Sequence, residues 1–180
     1  MAALYKFPEY AKKNGYKTPN SISDGPYQLA YNTELNFFQW LQANGYGMQF
    51  AHHMGGYRQG RPSWCDPGFF PVKERLVAGF DNREGAAMLV DIGGSIGHDL
   101  DEFRRKHSHA PGRLVLQDLP DVLAQIKDLD ATIERMPYDF YTEQPVKGMV
   151  SLLLIPMAPT DQITRCPSLL HALCPSRLAR

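Results

Sequence analysis

Two kinds of apolar pattern run along this chain: positions recurring at helical spacing between turn formers, and short continuous runs of the kind that buried strands show. The first 31 residues are punctuated by Asn14-Gly15, Pro19-Asn20 and Asp24-Gly25-Pro26, with Tyr5, Phe7, Tyr10, Tyr16, Tyr27 and Tyr31 between them. That pattern predicts an ordered segment packed on something larger. Leu35, Phe38 and Leu41 then fall at helical spacing behind Asn32 or Thr33, either of them a suitable N-cap, and Asn44-Gly45 should end the helix. Met48, Phe50, Met54 and Tyr57 form a further apolar-aromatic patch, broken by Gly55-Gly56, that reads first as core. Pro71 suits the first turn of a helix over Val72 to Ala78, with Gly79 as its stop.

The continuous runs begin at Ala86 to Ile92, a strand that ends in Asp91-Ile92 and turns through Gly93, Gly94, Ser95 and Gly97. Behind the turn, Leu100 and Phe103 mark a helix with Asp99, Asp101 and Glu102 early and Arg104, Arg105 and Lys106 late, an order that complements the helix dipole. Pro111-Gly112 stops it, and Arg113 to Gln117 is a second strand ending at Asp118. Strand, turn, helix and strand make a βαβ unit, which needs a right-handed crossover. Pro120 opens another helical run, Ala131 to Met136 is a weaker strand ending at Pro137, and MVSLLLI after Lys147-Gly148 is one further buried strand. The fold class is therefore α/β: a sheet of about four strands, near Leu89, Val115, Ile133 and Leu152, preceded by a mainly helical segment.

Composition narrows the function. With 43% hydrophobic and 21% charged residues the 180-residue chain is globular. Nineteen basic residues balance nineteen acidic ones, so no long-range field draws it to nucleic acid or an anionic membrane. The start has no continuous apolar signal region and no run is long enough to span a bilayer, which predicts a cytoplasmic protein. Cys65, Cys166 and Cys174 are scattered, without zinc-site or redox spacing, and adjacent His52 and His53 point in different directions on one segment; no metal site is expected.

The glycine turn carries the chemistry. A dinucleotide fold needs G-x-G-x-x-G after its first strand, which Gly93-Gly94-Ser95-Ile96-Gly97 does not match. Acidic-x-Gly-x-Gly-x-Gly is the alternative; Asp91, Gly93, Ser95 and Gly97 fit it with Ser95 in the middle glycine's place, and this resembles motif I of class I methyltransferases that use S-adenosylmethionine. A second acidic residue, Asp118, ends the next strand, where a carboxylate can accept hydrogen bonds from both ribose hydroxyls. A carboxylate suits a cofactor with no phosphate and a cationic sulfonium.

VDIGGSIGHDL, LVLQDLPDVL and IERMPYDFYTEQPVKG look, in this order, like segments of the plant caffeate-type and fungal secondary-metabolite O-methyltransferases. FFQWL, the Met48 to Trp64 region and FFPVKERL upstream look like the same family, so the resemblance runs over roughly residues 5–148. It implies that Asp91, Gly93, Gly94 and Gly97 form the cofactor turn, that Asp118 and Leu119 hold the ribose and flank the adenine, that Met136 packs on the adenine ring, and that Asp139 and Phe140 contact its amino edge and face. It places Met54 and Trp64 near the acceptor. Ordinary roles stand beside these: core packing for Met136 and Phe140, and a helix N-cap for Asp118.

The resemblance ends at Gly148. The family's His-Asp-Trp element and histidine base do not follow, and His171 sits in SLLHALC, unlike the catalytic motif. The expected organisation is a partial N-terminal and acceptor segment (1–80), a Rossmann-like S-adenosylmethionine core (81–148) and an unrelated tail (149–180), a chain truncated at both ends with no catalytic residue assigned. The implied function is O-methyl transfer from S-adenosylmethionine to a phenolic or enolic hydroxyl of a small secondary metabolite. The alternative is an inactive relative that at most binds cofactor, or pairs with a complete methyltransferase or with itself.

Overall fold

Strand β1, Ala87–Ile92, is buried along its whole length, so neither of its faces meets water. In the computed structural model, which describes residues 2–19, 21–56, 59–81, 85–147 and the backbone of 151–154, it lies inside a four-stranded sheet. The other strands are β2 (Arg113–Asp118), β3 (Ile133–Pro137) and β4 (Ser151–Leu154), and the spatial order is β3-β2-β1-β4 with every pairing parallel. Val90 stands opposite Val115 on one side and Leu152 on the other, and Val115 stands opposite Glu134. Continuous apolar runs are what a parallel sheet covered on both faces requires. All four strands anticipated from the sequence are present.

Parallel pairing dictates where a site can form. The carboxyl ends of β1, β2 and β3 share one edge of the sheet, and the chain leaves β1 toward β2 and β3 on one side before β4 pairs on the other. That reversal beside β1 is the topological switch point, where open α/β sheets leave a crevice.

Helix α5 (His98–Lys106) links β1 to β2 and seats the wholly buried Leu100 and Phe103 on the sheet, in a core with Leu89, Leu116, Ile133 and Leu76. The opposite face is closed by Tyr138 and Val146 against Val90, Ile92 and Val115. Between β2 and β3 runs a single helical turn, α6 (Pro120–Leu123). Where an α-helix was expected after Pro71, Lys73–Val77 forms a π-type turn closed by Ala78 N–H donating to the Lys73 carbonyl at 2.8 Å; Phe80 N–H then donates to Val77, which ends it.

Two compact units emerge, Met1–Met54 and Gly55–Arg180. In the first, α1 (Ala2–Lys13) and α2 (Pro26–Tyr31) are followed by α3 (Phe37–Ala43) and by α4 (Gly47–Gly56) as far as Met54. Neither Asn32 nor Thr33 caps α3. Asn36 does, its Oδ1 accepting from Gln39 N–H at 2.9 Å while Gln39 Oε1 accepts from Asn36 N–H at 3.0 Å. Such a reciprocal box satisfies two free N–H groups at once. Asn32 instead ends α2 in a left-handed conformation, and Thr33 accepts from Leu35 N–H.

Candidate functional site

At the end of β1 the chain must turn away from the sheet within a few residues and enter α5. Gly93 does so at φ +70°, a conformation that side chains resist, and it stays exposed. Gly94 is buried for a different reason: a Cβ there would collide with Asp91 Oδ2 and a methyl of Leu116, both in fully buried residues. The carboxylate of Asp91 therefore occupies the space beneath the turn that a side chain at position 94 would need. Gly97 caps α5, also at positive φ.

The turn is tied down to β2. Gly93 N–H donates to the Gln117 carbonyl at 2.7 Å and Gly94 N–H to the same oxygen at 3.4 Å. Ser95 takes a left-handed conformation, φ +54°, unusual for a residue with a side chain. Its N–H donates to Asp118 Oδ2 at 2.8 Å. Asp118 Oδ1 accepts from Leu119 N–H at 2.7 Å. Burial raises the Asp118 carboxyl above the ordinary carboxylate range, and the bonds from Leu119 and Ser95 pull it partly back. Asp118 is not the N-cap of α6: Leu119 holds that position, and the carboxylate faces the glycine turn instead. The Leu119 side chain is 48% exposed at this edge.

Met136, paired in register with Gln117, supplies the next wall. Together with Phe140 it is half-buried against the cluster of Val90, Ile92 and Tyr138, so core packing and an open face coexist in both residues. Tyr138 N–H donates to the Asp118 carbonyl at 3.0 Å, which holds the loop after β3 beside the turn. Asp139 is exposed, its Oδ1 accepting from Tyr141 N–H at 3.0 Å and its carbonyl from Thr142, a compact loop that fixes its own backbone. Asp91, Gly93, Gly94, Gly97, Asp118, Leu119, Met136, Asp139 and Phe140 are thus gathered along one edge of one sheet.

The two acceptor candidates are placed differently. Met54 is half-buried on α4, in the first unit. Trp64, in the second, lies flat on Phe103 with ring centroids 5.6 Å apart and planes 2° from parallel, packed on the core that seats α5. His171 and the stretch from residue 155 onward lie outside the described residues. Two residues the sequence reading passed over are Gln117 and Gln144, buried amides bonded to each other under the site. The available signal was a polar residue ending the apolar run RLVLQ.

No family model matches the chain. Among curated proteins, the O-methyltransferase mpaG of Penicillium roqueforti (strain FM164) is 48% identical over 145 residues, 79% of this chain and 36% of that protein. The O-methyltransferase asqD of Emericella nidulans is 36% identical over 155 residues, 85% of this chain and 39% of its own length. The chain therefore spans little more than a third of the curated relatives it matches. Among solved structures, LepI in complex with SAM superposes with a TM-score of 0.76 at 28% identity, over 96% of this chain and 45% of that one. OxaC in complex with sinefungin and meleagrin, at 21% identity and a TM-score of 0.72 over 96% of this chain and 45% of that one, shares the fold. No helix among the described residues is long and apolar enough to cross a membrane. Over 79% of its length the chain is thus similar in sequence to 36% of a fungal O-methyltransferase, and it shares the fold of the two solved structures.

Proposed function

We propose that this chain binds S-adenosylmethionine along the described sheet edge and serves methyl transfer to a phenolic or enolic hydroxyl of a small secondary metabolite. The observation that carries the reading is the bond from Ser95 N–H to Asp118 Oδ2, which brings the glycine turn and the second acidic residue, 23 positions apart, into one place. A relative 48% identical is named an O-methyltransferase, and a structural neighbour at 28% identity was solved with SAM; both support it.

The residues fit such a cofactor. An ionised carboxylate offers about four acceptor positions. Asp118 uses one on each oxygen for Ser95 and Leu119, and retains one on each for the two ribose hydroxyls. Gly93, exposed and without a side chain, lets the backbone approach the methionine part closely. Leu119 and Met136 flank the base, Phe140 covers its face and Asp139 meets its amino edge, in the core segment 81–148. When bound, S-adenosylmethionine supplies an electrophilic methyl on its sulfonium. The chain's own contribution is orientation, holding the ribose and base so that the methyl points at the acceptor. Met54 and Trp64 are candidates for shaping the acceptor side, and no residue is assigned as the base. A cytoplasmic location, and pairing with a second copy or a complete methyltransferase, belong to the same reading.

Calorimetry with S-adenosylmethionine, followed by a screen of phenols with labelled methyl, tests the reading. Binding with labelled product is expected; absence of binding overturns the cofactor assignment. Binding without product, across diverse phenols, limits this chain to holding cofactor. Cyclisation of an acceptor without label transfer would place it with neighbours such as the one described as a pericyclic reaction enzyme.

A further inference from the structure

Gln117 and Gln144 are almost wholly removed from water, at 0% and 3% exposure. Their amides form a closed pair, Gln117 Nε2 donating to Gln144 Oε1 and Gln144 Nε2 donating to Gln117 Oε1, each at 2.8 Å. The orientation of each amide is fixed by a third partner. Val146 N–H donates to Gln144 Oε1 at 3.0 Å, so that oxygen cannot be exchanged with its nitrogen without setting donor against donor. Gln117 then has to present its nitrogen, which also donates to Met136 Sδ, 3.1 Å away. A methionine side chain has three rotatable bonds and fills space in many ways. Here its sulfur is held at one point.

Three parts of the site meet at Gln117. Its carbonyl accepts from Gly93 and Gly94, its side chain grips Met136, and through Gln144 it binds the loop that carries Asp139 and Phe140. A buried amide pair is a poor source of net stability, because each bond replaces one to water, but any misplacement leaves an unsatisfied group at high cost. Such a pair is suited to holding one geometry.

We propose that Gln117 and Gln144 are positioning residues for base recognition, setting the Met136 wall and the Asp139–Phe140 loop so that the site tells adenine from a purine lacking its amino group. The proposal rests on the cofactor reading given above. Neither amide is a ligand to the cofactor in this account. Each acts through Met136 and the loop, so the consequence of loosening them is lost discrimination.

The test measures, by calorimetry on the full chain, the affinities for S-adenosylhomocysteine and for S-inosylhomocysteine, which differ only at the amino edge of the base. The variants are Gln144→Met, which leaves Gln117 its bond to Met136, and Gln117→Met, which leaves Gln144 its bond to Val146. The unaltered chain should prefer the adenosyl ligand, and in either variant that folds, as judged by near-ultraviolet circular dichroism, the preference should shrink at least threefold. A role in general stability alone would weaken both ligands together; an unchanged preference in a folded variant overturns the proposal. Equal binding of both ligands by the unaltered chain overturns it while leaving the cofactor reading standing, whereas binding of neither overturns both. Failure of both variants to fold would make the pair a folding requirement and not a positioning one, which also overturns it.

Discussion

The carboxylate of Asp118 grips the backbone N–H of Ser95 at 2.8 Å, and so the end of one strand holds the middle of the turn that leaves its neighbour. Removing that side chain has two separable effects. Asp118→Ala frees the turn and, in the proposed site, deletes the acceptor for the ribose. Losing charge-assisted bonds to a ligand costs on the order of 1.5–3 kcal/mol, so cofactor affinity should fall roughly 10- to 100-fold in calorimetric titration. An affinity indistinguishable from the unaltered chain would remove Asp118 from the site.

The same carboxyl predicts opposed pH dependences. Its pKa in the folded chain is raised, chiefly by burial. The folded state therefore holds the proton more tightly than the unfolded state does. The stability from this group is fully present below the ordinary aspartate value, about 4, and is lost as pH rises through the raised folded value. In the proposed site, cofactor binding needs the ionised form and should strengthen over that same rise. Thermal midpoints of the unaltered chain relative to Asp118→Asn, followed across this window, isolate the group from Asp130 and Glu143, whose pKa values are lowered and act in the opposite sense. A relative midpoint that increases with pH would contradict the assignment.

Within the turn, neighbouring positions should respond with different signs. Gly94→Ala drives a methyl into Asp91 and Leu116, and overpacking of this kind costs roughly 1–3 kcal/mol. Ser95→Gly should do the reverse. It relieves a left-handed side-chain residue while leaving the N–H that Asp118 holds, and gains up to about 1 kcal/mol less whatever the freer unfolded chain takes back. Urea denaturation of the two variants measures both, and a stabilised Gly94→Ala would show that the space under the turn has been misread.

How much of this was legible beforehand follows the range of the interactions involved. The four strands could be read because buried parallel strands carry continuous apolar runs, and the glycine turn because its backbone geometry constrains residue type locally. The cap of α3 was misplaced by a few residues because Asn32, Thr33 and Asn36 are all chemically competent; only the reciprocal bond of Asn36 with Gln39 singles one out. Asp118 stands out in the sequence as the acidic end of a strand, but its grip on Ser95 does not, a contact that parallel pairing of β1 and β2 creates and local sequence does not announce. Gln117 and Gln144 were missed for that reason too. Their pairing spans 27 residues, and a glutamine in a sequence gives no sign that its partner is another glutamine.

Trp64 separates packing from acceptor chemistry. Its ring lies parallel to Phe103, the wholly buried residue by which α5 sits on the sheet, and the stack adds to the apolar surface it covers. Truncating a large core aromatic costs roughly 3–5 kcal/mol, and a half-buried one somewhat less, so Trp64→Leu, which refills part of the space, should lose about 2 kcal/mol in urea denaturation. The glycine turn stands at the other end of the strand-to-helix connection from Phe103, held by its own bonds to Gln117 and Asp118. Affinity for S-adenosylhomocysteine in the folded variant should therefore stay within about twofold, a difference under 0.5 kcal/mol by the usual conversion. A stable variant with altered acceptor preference would instead move Trp64 to the substrate side, where the family resemblance puts it.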